Sequence, residues 1–152
     1  MDTNTILQRD DHVTFEVVAG EAILIDMRTG TYFSLNESGT EFWQRLDGQH
    51  TIGEIATEVA KLYNDKAAAY VSAVQAAIRG NEIPEESAVS LAELYELDVE
   101  DVLAHAADLI RHGAEYAGEL LAEFQVDEEL VSSDLLELAE ELYASGLVKL
   151  TD

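Results

Sequence analysis

The sequence predicts an α+β protein in which a small antiparallel β-sheet comes first and helices make up the remainder. Two observations lead to this prediction. The first third of the 152 residues alternates apolar and polar side chains over short runs that are bounded by glycine. From residue 36 onward, apolar residues recur with helical spacing, and Pro84 is the single proline of the chain.

The predicted sheet has three strands, and a tight hairpin joins the last two. The hairpin loop ends in Gly30, the residue type that most readily adopts the positive φ that such a loop requires. Gly20 marks the turn before it. The predicted strands cover residues 13–18, 22–27 and 31–35.

The third predicted strand is the feature on which the functional hypothesis depends. By period-two alternation, Phe33 and Leu35 share a face and are expected to enter the core, whereas Tyr32 and Ser34 point the other way. As the last strand of the hairpin, it is expected to expose an edge of unpaired backbone groups. The strand comprises Thr31, Tyr32, Phe33, Ser34 and Leu35.

Helix signals begin directly after this strand. Asn36 is a favourable N-cap for a short helix, and Thr51 with Glu54 forms a T-x-x-E capping box at the start of a second one. Trp43 on the first helix is expected to pack between the sheet and the helices, together with Phe42 and Leu46. Further helices are predicted at about residues 66–79, 85–96, 99–112, 114–124 and 133–145.

The charge balance excludes several classes of partner. The chain has 32 acidic and 8 basic residues, a formal net charge of −24. Residues 1–63 hold 11 acids and 4 bases (−7), and residues 64–152 hold 21 acids and 4 bases (−17). A surface this negative repels phosphate groups, so we expect no binding to nucleic acid or to anionic membranes. There is also no apolar run long enough to span a bilayer.

No pattern in the chain indicates catalysis, a cofactor or a metal site. Cysteine is absent, which excludes disulfides and thiolate chemistry and fits a cytoplasmic protein without a signal peptide. His105 and His112 lie seven residues apart, about 10 Å along a helix, which is too far for one metal ion. We expect both histidines to be exposed. The chain also lacks phosphate-binding and nucleophile-elbow motifs. It is therefore not expected to be an enzyme.

The order of these elements resembles the PqqD-like family. The hairpin, the Leu35–Asn36 pair, the helix with Phe42 and Trp43 and the Thr51 capping box follow one another as in that family. The resemblance covers residues 23–48 and 51–63, and it returns in the tail, residues 126–148.

This resemblance implies a function in the maturation of ribosomally made, post-translationally modified peptides (RiPPs). Members of the family are recognition elements that bind a precursor peptide and present it to a modifying enzyme, such as a radical-SAM protein. The resemblance implies a three-stranded sheet packed on a winged-helix-like bundle of three helices. The third strand accepts the leader peptide as a fourth strand, and the third helix completes a groove for its side chains.

The chain departs from the family pattern because about 60 residues separate Tyr63 from the matching tail. In one reading, residues 64–125 are an acidic helical insertion into a recognition domain formed by residues 1–63 and 126–152. In the other, residues 1–83 are the recognition domain and residues 84–152 a helical extension. The tail matches the family better than residues 66–79 do, which favours the insertion. The peptide-contacting residues expected on the third helix are then Leu135, Leu138 and Leu142.

Two other functions remain open from the sequence. The chain could be a winged-helix-derived adaptor or regulator that binds other proteins but no leader peptide. It could also be an oligomerisation module in which residues 64–125 exchange between chains. The sequence identifies neither the peptide nor its modification.

Overall fold

The computed structural model describes residues 1–151, and for residue 114 the backbone alone. Strands precede helices, which confirms the α+β prediction. The elements are β1 (Ile6–Arg9), β2 (Val13–Val18), β3 (Glu21–Asp26), β4 (Tyr32–Ser34), α1 (Glu37–Gln44), β5 (Asp47–Thr51), α2 (Ile52–Ala77), α3 (Glu85–Tyr95), α4 (Val99–His112), α5 (Ala114–Phe124), α6 (Glu128–Ala144) and β6 (Val148–Leu150).

The predicted three-stranded sheet is present, with the antiparallel order β2-β3-β4. Gly30 has a φ of 75°, as the hairpin loop between β3 and β4 requires. Between β2 and β3, Ala19 and Gly20 have φ values of 52° and 81°. Two consecutive positive φ values are typical of a type I′ turn, which suits the twist of a two-residue hairpin.

A second sheet, of order β5-β1-β6, was not predicted. Its central strand β1 pairs with β5 on one side and with β6 near the C-terminus on the other, both antiparallel. These strands have three to five residues, and β5 (sequence DGQHT) has no apolar alternation. Pairing with distant segments, rather than local pattern, determines these strands.

The prediction of separate helices near residues 51–63 and 66–79 was wrong, because α2 runs without a break through both. Asn64 and Asp65, between the two predicted helices, are poor helix formers, but each costs only about 0.6 kcal/mol in a helix interior. Burial of Ala67, Tyr70 and Val74 immediately afterwards outweighs that cost. The predicted capping box is confirmed: the Thr51 N–H donates to Glu54 Oε1 at 3.0 Å and the Glu54 N–H to Thr51 Oγ1 at 3.1 Å.

The chain forms two compact units, Met1–Lys61 with Val126–Asp152 and Leu62–Gln125. The first contains both sheets, α1, the beginning of α2, and α6. Trp43 is fully buried in this unit, as predicted, and packs edge-on against Phe15 of β2 at a centroid distance of 5.8 Å. Leu135, Ala139 and Leu142 of α6 are also buried there.

The second unit is helical and contains an aromatic cluster around Tyr70. The Tyr70 ring meets those of Tyr95, His105 and Phe124 edge-on, and its hydroxyl lies 2.7 Å from His105 Nδ1. Burial, with the nearby charge of Asp101, raises the pKa of Tyr70 to about 12.

The expectation that His105 is exposed was wrong, because its side chain is half-buried among these aromatic rings. No group of acidic and histidine residues suited to a metal ion occurs within residues 1–151.

Candidate functional site: the free edge of β4 and the groove beside α6

Strand β4 forms one edge of its sheet, because β3 is its single neighbour among residues 1–151. The Asp26 N–H donates to the Thr31 carbonyl at 3.0 Å, and the Leu35 N–H donates to the Ala22 carbonyl at 2.9 Å. In an antiparallel pair, residues that bond to the neighbouring strand alternate with residues that face away from it. Tyr32 and Ser34 consequently direct their backbone N–H and C=O groups to the free edge.

The side chains of β4 follow the predicted alternation. Leu35 is buried, and Phe33, which lies opposite the buried Leu24, is half-buried. Tyr32 is 70% exposed and Ser34 is also exposed. One face of β4 thus packs on the core through Phe33 and Leu35, and the other face, with Tyr32 and Ser34, is exposed to solvent.

A groove of about 480 Å³ lies beside the C-terminal end of β4. One wall is the end of this strand with the beginning of α1, and the other wall is the middle of α6. Every lining residue belongs to the first unit. The lining residues are Ser34, Leu35, Asn36, Ser38, Gly39, Asp134, Leu135, Glu137, Leu138 and Glu141.

The structure brings some of the predicted site residues together and separates others from them. Ser34 and Leu35 of the strand side, and Leu135 and Leu138 of α6, line the groove. Leu138 is half-buried, whereas Leu135 is 2% exposed and contributes mainly to the core. Four predicted residues do not line this groove: Thr31, Tyr32 and Phe33 lie further along the strand, and Leu142 is buried in the core.

The first turn of α1 sets the width of the groove. Asn36 caps this helix as predicted, since its Oδ1 accepts the Gly39 N–H at 2.8 Å. A Cβ on Gly39 would lie 3.2 Å from Leu138 Cδ2 and 3.1 Å from Asn36 Oδ1, closer than side chains usually pack. Glycine at position 39 therefore lets α6 approach α1. Sequence reasoning did not identify Gly39, because a glycine inside a helix gives no signal of its neighbours.

The carboxylates of Asp134, Glu137 and Glu141 were also not identified as groove residues. They recur at positions i, i+3 and i+7, so they share one side of α6, next to Leu138. The spacing is visible in the sequence, but acidic residues cover so much of this chain that it does not distinguish these three.

A buried carboxylate supports the other end of β4. The Arg28 N–H donates to Asp26 Oδ1 at 2.9 Å, inside the hairpin loop. Burial alone would raise the pKa of Asp26, but the hydrogen bonds and charge of Arg28 keep it below its usual value. The Arg28 guanidinium also lies 3.5 Å from the Gly146 carbonyl, directly after α6. The hairpin loop is thus close to the C-terminal end of α6.

The opposite edge of the same sheet is formed by β2. The Met27 N–H donates to the His12 carbonyl, so by the same alternation Phe15 and Val17 direct their backbone groups outward. A cavity of about 530 Å³ beside this edge is lined by β1, the beginning of β2 and residues 46–47. No helix residue lines the cavity beside the β2 edge, whereas α1 and α6 line the groove beside β4. The β2 edge therefore offers an internal control for experiments on β4.

The comparisons with known proteins support the resemblance over part of the chain. Residues 21–81, which are 61 of the 152 residues, match the family model described as coenzyme PQQ synthesis protein D (PqqD), a family of RiPP precursor peptide recognition elements. This stretch contains β3, β4, α1, β5 and α2, and so includes the free edge. No curated protein and no solved structure matches the chain. No helix of the described residues is long and apolar enough to cross a membrane.

Proposed function

From the match of residues 21–81 to the PqqD family, we propose that this chain binds the leader of a ribosomal precursor peptide and presents it to a modifying enzyme. The observation that carries the proposal is the free edge of β4 beside a groove whose lining includes the half-buried Leu138. The leader adds to the sheet as a fourth strand, with side chains of one face directed into the groove.

The energetics require both parts of this site. Tyr32 and Ser34 offer two N–H and two C=O groups, and each hydrogen bond contributes a net of about 0.5–1.5 kcal/mol. Four such bonds hardly offset an association cost of roughly 4–15 kcal/mol. An apolar leader side chain buried on Leu138 adds about 1.5–3 kcal/mol. Backbone pairing therefore fixes register, and apolar anchors supply the affinity.

The assignment of α6 as the groove helix is part of the proposal. It is supported by the lining of the groove, which includes α6 but no residue of 62–125. The family match, by contrast, continues through α2 to residue 81 and does not include α6. The continuity of α2 favours α6 as the groove helix, because α2 runs as one helix where the family pattern would need a separate third helix. Residues 64–125 are then an insertion in a recognition domain.

In this proposal, the chain performs no chemistry itself. PqqD proteins are accessory proteins that act together with biosynthetic enzymes. Here the partner would be a peptide-modifying enzyme, such as a radical-SAM protein, in the cytoplasm. The proposal includes no cofactor and no metal ion for this chain.

Two matched proline substitutions test strand addition. Ser34→Pro removes an N–H that points to the free edge of β4, so no bond to β3 is lost. Val17→Pro does the same at the β2 edge. The gene neighbourhood is first searched for a short open reading frame beside a modifying enzyme, and the leader of that reading frame serves as the ligand in fluorescence anisotropy titrations. We expect Ser34→Pro to weaken binding about tenfold or more, and Val17→Pro by less than twofold.

Equal affinities of the two variants would contradict strand addition at β4. If the wild-type chain did not bind the leader at all, the adaptor or regulator function would be favoured instead. The intrinsic fluorescence of Trp43, the single tryptophan, shows whether each variant is folded.

A further inference from the structure

We propose that the groove beside α6 selects peptides in which Lys or Arg residues flank the apolar anchor. This inference rests on the proposed function and adds the class of peptide that the site accepts. It follows from the charges that line the groove and from the way these charges are placed around Leu138.

The groove has a charge of one sign. Asp134, Glu137 and Glu141 line it, and no Lys or Arg is among its lining residues. All three side chains are exposed. No ion pair joins any of the three to a basic group within the part of the chain that the structure describes. Their charges are therefore available to a ligand.

The carboxylates surround the position at which an apolar anchor would bind. On a helix with 3.6 residues per turn, Asp134 and Glu141 lie on the same side as Leu138, each about one turn from it along the axis. Glu137 and Glu141 are four residues apart, about 6 Å along the axis. In an extended peptide, side chains on one face are about 6.6 Å apart. Basic residues two positions before and two positions after the apolar anchor would thus reach the carboxylates on either side of Leu138.

The same carboxylates select against acidic peptides. An acidic side chain in this groove would meet three like charges with no basic residue in the lining to compensate them. Each exposed ion pair contributes a few-fold in affinity at low ionic strength, so loss of all three is expected to cost about tenfold. Salt would reduce this difference, because exposed pairs are screened.

Selection from a display library of random 15-residue peptides tests the inference without knowledge of the natural ligand. The baits are the full-length wild-type chain, the triple variant Asp134→Asn/Glu137→Gln/Glu141→Gln, and Glu140→Gln. Glu140 is an exposed acid of the same helix that does not line the groove, so its variant is the matched control. Each selected pool is counter-screened on Ser34→Pro to identify peptides that need the β4 edge.

We expect peptides that need the β4 edge to be enriched several-fold in Lys and Arg beside an apolar residue. The enrichment should persist on Glu140→Gln and disappear on the triple variant, and individual peptides should bind the triple variant about tenfold more weakly. Edge-dependent peptides without basic enrichment, or with equal enrichment on the triple variant, would overturn this inference and leave the proposed function intact. Pools that bind Ser34→Pro as well as wild type would overturn both.

Discussion

At the scale of single residues, two leucines of α6 that sequence periodicity treats alike have different surroundings. Both line the groove, but Leu135 is 2% exposed and belongs mainly to the core, while Leu138, three residues later, is half-buried. Removing core methyl groups leaves a cavity, whereas a groove residue is already in contact with solvent. We therefore expect substitution of Leu135 to lower mainly the stability of the chain and substitution of Leu138 to lower mainly its affinity for the peptide.

Leu135→Ala is expected to lower the free energy of unfolding by roughly 2–5 kcal/mol, because it leaves a buried cavity. Leu138→Ala should cost less than about 1.5 kcal/mol of stability but weaken leader binding about tenfold, since it removes the anchor contact. Urea unfolding followed by Trp43 fluorescence and anisotropy titration measure the two effects. A Leu138→Ala variant with wild-type affinity would exclude Leu138 as an anchor.

At the scale of elements, the β2–β3 hairpin carries a strained residue. Ala19 has a φ of 52°, a conformation that costs about 1–2 kcal/mol for a residue with a Cβ. The first position of a type I′ turn favours asparagine or glycine. The turn is nonetheless formed because six cross-strand pairs between β2 and β3 define its ends.

Replacement of Ala19 by glycine is expected to stabilise the chain by up to about 1 kcal/mol, because relief of strain exceeds the added entropy of the unfolded chain. The matched control is Ala68→Gly, at an exposed position inside α2, which should destabilise by about 1 kcal/mol. Thermal unfolding of both variants measures the difference. Destabilisation of equal size in both would show that Ala19 is not strained.

Elements with a local signal were predictable from the sequence, and elements defined by distant partners were not. The predicted hairpin, the Asn36 cap and the Thr51–Glu54 capping box all depend on residues within a few positions, and all three are present. Strands β1, β5 and β6 are short, and β1 pairs with segments about 40 and about 140 residues later in the chain, so no local pattern marks them. The continuity of α2 depends on burial in the second unit, which likewise has no local signal.

The same distinction applies to the groove. The free edge of β4 follows from the hairpin, and Leu135 and Leu138 follow from helical periodicity. The contribution of Gly39 depends on the approach of a helix about 100 residues later in the chain, and that of Asp134, Glu137 and Glu141 on which side of α6 faces α1. Both require tertiary structure.

At the scale of the whole molecule, the negative charge has two different roles in this account. A net charge of −24 repels nucleic acid and other acidic partners wherever they approach. Most of it is solvated helix surface, but three carboxylates of α6 are placed where the proposed peptide would bind. In the proposed function, these three carboxylates contribute to peptide selection because they lie next to Leu138 and the free edge of β4.

The most direct test of strand addition at β4 is amide NMR of the full-length chain during titration with the leader peptide. We expect the amides of Tyr32 and Ser34 to shift and to become protected from hydrogen exchange, because they gain partners on the free edge. The amides of Phe15 and Val17, on the opposite edge, should remain unchanged. Saturating binding that leaves Tyr32 and Ser34 unperturbed would contradict the central claim.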